Sequence, residues 1–251
     1  MSGGDAWIRR FHPAHAGRTR LVCFPHAGGS ASFYHPLSAA LHPDVEVLTV
    51  QYPGRQDRRG EPFATEILPL AERVAEALGP WQREPWAFFG HSMGAVLAFE
   101  TARVLERTPG APPLSALVVS GRRAPATRRD EAFHREDDDG LIAEIRRLNG
   151  TESGVLDNEE LLRMVLPAVR NDYRAIETYR GDPEARINAP ISAFIGDRDP
   201  KSTVAEAERW AGHTEAGFDL HVFEGGHFYL VDRQVEVVQR ITDCLKRAAG
   251  R

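Results

Sequence analysis

Cysteine is nearly absent from this chain. The two present, Cys23 and Cys244, lie at opposite ends, and Cys23 falls inside an apolar run; both read as reduced, which makes the cytoplasm the expected location. Lysine is as scarce, with Lys201 and Lys246 alone, so arginine carries almost all the positive charge. A formal net charge of −5 excludes a nucleic-acid binder working through its overall field, and an acidic partner would have to be met by a local basic patch. No apolar run approaches the roughly 20 residues of a membrane span, and Met1 to Arg10 has no apolar core of signal-peptide length, so neither a membrane role nor export is expected. Repeats and low-complexity segments are missing too. What remains is ordinary globular composition, 42% hydrophobic and 27% charged, in 251 residues. That length suits one α/β domain, residues 1–251, with an insertion.

The most informative stretch is Phe88-Phe89-Gly90-His91-Ser92-Met93-Gly94-Ala95. An apolar, strand-like run from Trp86 stops at Gly-x-Ser-x-Gly, and a helix-forming run follows from Ala95 to Ala102. A serine hydroxyl is a weak nucleophile at neutral pH. It becomes useful when a sharp strand-to-helix turn holds it clear of its surroundings, with a base on one side and a carbonyl on the other. The turn forces a strained serine backbone, and a Cβ at Gly90 or Gly94 would crowd the neighbouring strand or helix. Ser92 is the candidate nucleophile.

Strand and helix signals alternate along the rest of the chain. Leu21 to Phe24 reads as a short buried strand ending in Pro25-His26-Ala27-Gly28-Gly29-Ser30, a loop of small residues whose backbone N–H groups can face a ligand closely. Ala27 N–H and Met93 N–H are the candidate oxyanion donors, and His26 reads as structural. Val45 to Val50 alternates, is β-rich and runs into Tyr52-Pro53-Gly54-Arg55; Thr65 to Leu78 has helical spacing and stops at Gly79-Pro80; Leu114 to Ser120 is the next strand. The pattern implies a mostly parallel sheet flanked by helices. From residue 121 to 186 it changes to helical stretches (Leu141 to Leu148, Glu159 to Val169, Asn171 to Tyr179) with no strand, which is expected to form a helical lid over the nucleophile. The sheet resumes at Pro190 to Ile195 and at Leu220 to Phe223, and a closing helix runs from about Asp232 to Lys246.

Those last two strands end in Gly196-Asp197-Arg198-Asp199-Pro200 and Glu224-Gly225-Gly226-His227-Phe228, which completes the chain order Ser, Asp, His of an α/β hydrolase. Of ten histidines, only His227 lies in a glycine-rich loop after a final strand, where it could take the Ser92 proton. For the acid, Asp197 and Asp199 compete. The residue before a proline is biased to extended backbone, which projects Asp199 out of the turn, whereas Asp197 suits an Asx-type cap of the turn itself. Asp199 is the favoured choice.

Taken together, Phe24 to Ser30 (Phe-Pro-His-Ala-Gly-Gly-Ser), Tyr-Pro-Gly-Arg at Tyr52, Gly-His-Ser-Met-Gly at Gly90, Gly-x-x-Asp-Pro at Gly196 and Gly-Gly-His-Phe at Gly225 resemble the type II thioesterases. Those are discrete proteins that accompany polyketide synthases and nonribosomal peptide synthetases. The resemblance implies an α/β hydrolase fold and hydrolysis of stalled or wrong acyl groups from the phosphopantetheine arm of an acyl carrier protein or peptidyl carrier domain. It further implies Ser92, Asp199 and His227 as the triad, Ala27 and Met93 as the oxyanion hole, and no metal or organic cofactor. A general carboxylesterase or an acyltransferase would use the same triad. For an acidic carrier, the candidate docking charges are Arg122, Arg123, Arg128 and Arg129, joined by Arg55, Arg58 and Arg59.

Overall fold

Runs of β-branched and aromatic residues, bounded by glycine, proline and polar turns, become the strands, and the amphipathic runs between them become helices laid against both faces. The computed structural model describes residues 6–15, 18–82, 86–149 and 159–249. In chain order the elements are β1 (Ile8–Arg9), β2 (Thr19–Phe24), α1 (His35–Leu41), β3 (Val45–Val50), α2 (Ile67–Ala77), β4 (Trp86–His91), α3 (Met93–Glu106) and β5 (Leu114–Ser120). They continue with α4 (Asp138–Asn149), α5 (Glu159–Thr178), β6 (Ile191–Gly196), α6 (Val204–Glu208), β7 (Phe218–Phe223), α7 (Tyr229–Asp232) and α8 (Gln234–Ala249).

One seven-stranded sheet has the order β1-β3-β2-β4-β5-β6-β7. All its pairings are parallel except that of β1, which runs antiparallel to β3. Period-2 alternation sorts the strand side chains. Val22, Phe24, Leu48, Val50 and Phe88 join the core beneath α2 and α3, while Leu21, Cys23, Val45, Val47 and Phe89 face α1 and α8. The chain leaves β2 toward β3 on one side, then returns to place β4 on the other. The crevice at the carboxyl ends of β2 and β4 is therefore a topological switch point, where open α/β sheets bind ligands. Phe24 pairs with Gly90 there, so the loop after β2 and the Ser92 turn emerge side by side.

Several elements differ from the sequence reading. β1 lies in what reads as a polar lead-in: Ile8 pairs with Val50, a contact no local pattern announces. β3 is buried on both faces because Leu48 and Val50 pack into the core under α2 and α3 while Val45 and Val47 pack against α1 and α8, and its Glu46 is neutralised by Arg10 and by Arg20, whose Nε lies 2.8 Å away. The two helical stretches either side of Arg170 are a single helix, α5, that carries Pro167 internally. Arg170, a good helix former, continues it, and its guanidinium donates to the carbonyls of His134 and Glu136 and to Asp138. The closing helix is α8, preceded by the separate turn α7. Residues 150–158 of the 121–186 insertion, and residues 1–5 and 250–251 of the chain, lie outside the described residues.

Candidate active site

Ser92 has φ 55° and ψ −117°, a left-handed backbone that a residue with a side chain adopts only under constraint. Its N–H donates to Ser120 O at 2.8 Å, and its carbonyl accepts from Ala95 N at 3.1 Å, fixing the turn between β4 and α3. The two glycines are obligatory. A Cβ on Gly90 would stand 2.1 Å from Gly94 O, and one on Gly94 would stand 2.0 Å from Phe24 O. The second clash shows how closely α3 abuts the end of β2. Met93 opens α3, so its N–H is among the first-turn donors that have no acceptor within the helix.

The loop after β2 is held at many points. Tyr52 OH and Tyr34 OH donate to Pro25 O and Phe24 O, each at 3.0 Å, and Gly29 N–H closes a turn on His26 O at 2.9 Å. Gly28 has φ 76°. Its N–H donates to Asp172 Oδ2 at 2.8 Å, and Asp172 also receives both terminal nitrogens of Arg55, at 2.7 and 2.9 Å. Arg55 in turn donates to Gly29 O at 3.1 Å. A buried bidentate ion pair thus ties three segments together: the Ala27-Gly28-Gly29 loop, the Tyr52-Pro53-Gly54-Arg55 loop and helix α5. Sequence reasoning missed Asp172 entirely, since nothing local marks one aspartate in a helix as the partner of a loop more than 100 residues away.

His227 is buried, and its Nδ1 lies 3.0 and 2.9 Å from the two oxygens of Asp199. Nδ1–H therefore donates to the carboxylate, leaving Nε2 as the free acceptor. Asp199 Oδ1 also accepts from Lys201 N–H at 2.8 Å, so the Asx turn expected at Asp197 is made by Asp199. Asp197 instead bridges to the next loop, its Oδ1 accepting from Gly225 N–H at 2.8 Å. A Cβ on Gly196 would stand 2.4 Å from Gly226 O, so the two loops also touch along their backbones.

Ser92, His227, Ala27 and His26 line one small cleft, with Arg122, Glu131, Tyr173 and Lys201 among its other walls. The geometry thus brings together Ser92, His227 and Ala27 in one space, Asp199 behind His227, and Met93 N–H at the head of α3. Two further imidazoles crowd the site. His26 is pushed down to about 3 by burial, then by the His227 and Arg55 charges, and burial likewise holds His91 well below its ordinary range. Both are neutral, and the His91 ring lies 4.9 Å from that of His227. The α4–α5 segment covers the site from above: Leu141, Leu166, Val169 and Tyr173 form a cluster into which Ala27 and Phe228 pack.

Most of the arginines expected to dock an acidic partner are already engaged. Arg55 pairs with Asp172, Arg58 with Glu61, Arg123 with Glu131 and Arg129 with Glu206. Arg122 is half-buried at the wall of the cleft, and of these seven only Arg59 and Arg128 are exposed. Among the described residues, no three His, Cys, Asp or Glu side chains converge to hold a metal ion, and no helix is long and apolar enough to cross a membrane.

A family model described as a thioesterase domain matches residues 19–245. A probable cadicidin biosynthesis thioesterase of Streptomyces griseus is 54% identical over 239 residues, which cover 95% of this chain and 66% of the relative. Thioesterase PikA5 of Streptomyces venezuelae is 53% identical over 245 residues, 97% of this chain and 87% of the relative. Among solved structures, the type II thioesterase BorB from the borrelidin biosynthetic cluster superposes with a TM-score of 0.90 at 48% identity, covering 98% of this chain and all of that one.

Proposed function

This chain belongs to the thioesterase domain family and has its α/β hydrolase fold; from that premise we propose that it hydrolyses acyl thioesters in polyketide or nonribosomal peptide biosynthesis, with Ser92, His227 and Asp199 as its catalytic triad. The observation that carries the reading is one cleft lined by Ser92, His227 and Ala27, with the far nitrogen of His227 held by Asp199 at 2.9 Å. His227 Nε2 takes the proton from Ser92 Oγ as the oxygen attacks the thioester carbonyl carbon. The developing oxyanion is received by the N–H groups of Ala27 and Met93, each worth about 2.7–4 kcal/mol at such a site. The tetrahedral species collapses, the C–S bond breaks, and His227 returns its proton to the departing thiolate. A water molecule then repeats the sequence on the acyl-serine and releases the free acid.

The partner is an acyl carrier protein or peptidyl carrier domain that presents the acyl group on phosphopantetheine, and the 1–251 chain acts as a single domain with residues 121–186 as its lid. Two features support the lid: α5 and α4 pack over Ala27 and Phe228, and Asp172 of α5 bonds the Gly28 N–H. Removal of stalled or aberrant acyl groups is the role such an enzyme would play. The test is acyl-CoA and acyl-carrier hydrolysis by the wild type and Ser92→Ala, together with mass spectrometry after a fluorophosphonate. The expected outcome is one adduct on Ser92 in the wild type, and a folded Ser92→Ala protein with neither adduct nor turnover. Near-normal turnover in that variant, or oxygen esters outcompeting thioesters, would sink the proposal.

A further inference from the structure

Arg122 follows the end of β5, where Trp210 Nε1–H donates to its carbonyl at 2.9 Å and fixes the backbone. Arg122 is half-buried and lines the Ser92 cleft, and it also lines the adjoining cleft walled by Thr127 and Tyr179. There the guanidinium has no hydrogen-bond or ion-pair partner among the described residues, and Nε is sealed from solvent with nothing to donate to. A buried charged donor left unmade is costly, so such a group marks a place where a ligand completes the bonding. Burial, then the neighbouring Arg123, pull Arg122 down to about 9, so it remains a cation at neutral pH.

The surrounding carboxylates say what kind of ligand. Glu131 is bonded by Arg123 at 2.6 Å and approached by Lys201 at 3.4 Å. Glu177 accepts from Phe133 N–H and His134 N–H, at 3.0 and 3.1 Å, and from the His134 ring. Both act on Arg122 through space and favour its charge, yet neither supplies an acceptor to its hydrogens. Arg122 is thus balanced in charge and empty in hydrogen bonds. A neutral oxygen satisfies that condition, whereas a carboxylate brought into the same cleft meets Glu131 and Glu177. The remaining walls, among them Leu148, Tyr173, Ile176 and Phe228, suit a short carbon chain.

We propose, resting on the thioesterase reading above, that Arg122 is a specificity-determining residue that hydrogen-bonds a hydroxyl or keto oxygen on the acyl group. The enzyme therefore selects oxygen-bearing short acyl groups over plain alkyl and over carboxylated ones.

The test compares butyryl-, 3-hydroxybutyryl-, 3-oxobutyryl- and malonyl-CoA, all on the same thiol, with the wild type, Arg122→Lys and Arg122→Met. Lysine keeps the charge and loses the planar fork of donors; methionine loses both. Thermal melts confirm folding, and the lysine variant alone suffices should the methionine variant fail to fold. Because the acyl groups differ in intrinsic reactivity, the quantity read is the change, from wild type to variant, in each kcat/KM ratio to butyryl. The expected result is that the hydroxy and oxo ratios fall by about tenfold to a hundredfold, the value of one hydrogen bond to a charged group. Unchanged ratios, or equal losses across the series, would overturn the inference and place Arg122 in service of the arm or the fold. A wild-type preference for malonyl would overturn it as well. Absence of turnover on every thioester would instead overturn the thioesterase reading, and this inference with it.

Discussion

Replacing Asp172 tests whether the loop carrying Ala27 is held in place from the α5 side. The carboxylate and the Arg55 guanidinium are only 3% and 7% exposed, so Asp172→Ala leaves a buried arginine with no counter-charge and removes the acceptor of Gly28 N–H. Breaking a buried pair in this one-sided way costs about 3–5 kcal/mol, which in a domain of this size lowers Tm by roughly 6–20 °C. A second loss is expected at the chemistry. Gly28 sits at φ 76° next to the proposed oxyanion donor, and freeing it lets Ala27 N–H leave its position, at a cost approaching the ~10²–10³ in kcat of one missing donor. The double variant Arg55→Met/Asp172→Leu separates the two effects. It removes both charges, so stability should recover, while Gly28 remains without an acceptor and kcat stays low. Steady-state kinetics on one acyl-CoA, with calorimetry on the same samples, reads both quantities. If Asp172→Ala melts early but keeps its kcat, or if the double variant regains full activity, the pair contributes only stability and the positioning argument is wrong.

Asp199→Asn should lower kcat by about 10⁴, because an amide at that position no longer holds the His227 tautomer with Nδ1–H toward it. Asp197→Asn should cost less than about tenfold, since the amide oxygen can still accept from Gly225 N–H; a reversed ranking in kcat/KM would assign the acid to Asp197. Acid should destabilise the fold in two overlapping windows. His26 falls from its ordinary 6.5 to about 3, so below pH 6.5 the unfolded chain takes up a proton the folded one refuses, and stability declines as pH falls toward 3. For Glu206, the Arg129 and Thr203 hydrogen bonds outweigh the opposing effect of burial and hold it at about 2, so its contribution is lost as pH falls from 4.5 through that value. Urea midpoints across pH 3–7 should fall monotonically, and His26→Phe should flatten the upper part of the curve; an unchanged slope in that variant would show that His26 is not the group titrating.

How far the sequence was readable depended on how local each signal was. The Ser92 turn was legible because strand, glycines and helix are contiguous, and the clashes awaiting a Cβ on Gly90 or Gly94 are the physical content of that motif. His227 and Asp199 were legible because each sits in a glycine- or proline-marked loop directly after a strand. β1 was not, since a strand of two residues acquires its identity only by pairing with β3. The two helical stretches read either side of Arg170 are one helix, since arginine is a good helix former and no local signal there ends it. The Arg55–Asp172 pair combines a readable half with an unreadable one. Arg55 stands in a recognisable loop, but its function in the structure is defined by a partner on α5.

The arginines are a further case in which a local signal did not foretell the partner. A composition with 31 Lys and Arg against 36 Asp and Glu invites the inference that clustered arginines form a surface for an acidic carrier. Yet Arg55, Arg58 and Arg123 are buried, with their charges spent on Asp172, Glu61 and Glu131, and Arg129 is bonded to Glu206. Pairs of this kind hold the loops around the cleft and contribute little to the field outside the protein, because each arginine is matched by a carboxylate within hydrogen-bonding distance. Of the seven arginines singled out from the sequence, Arg59 and Arg128 alone face solvent and keep a charge free to act at a distance. Two single charges on a net-negative protein steer weakly at physiological ionic strength, where the Debye length is about 8 Å. These seven arginines therefore supply little long-range attraction for an acidic carrier.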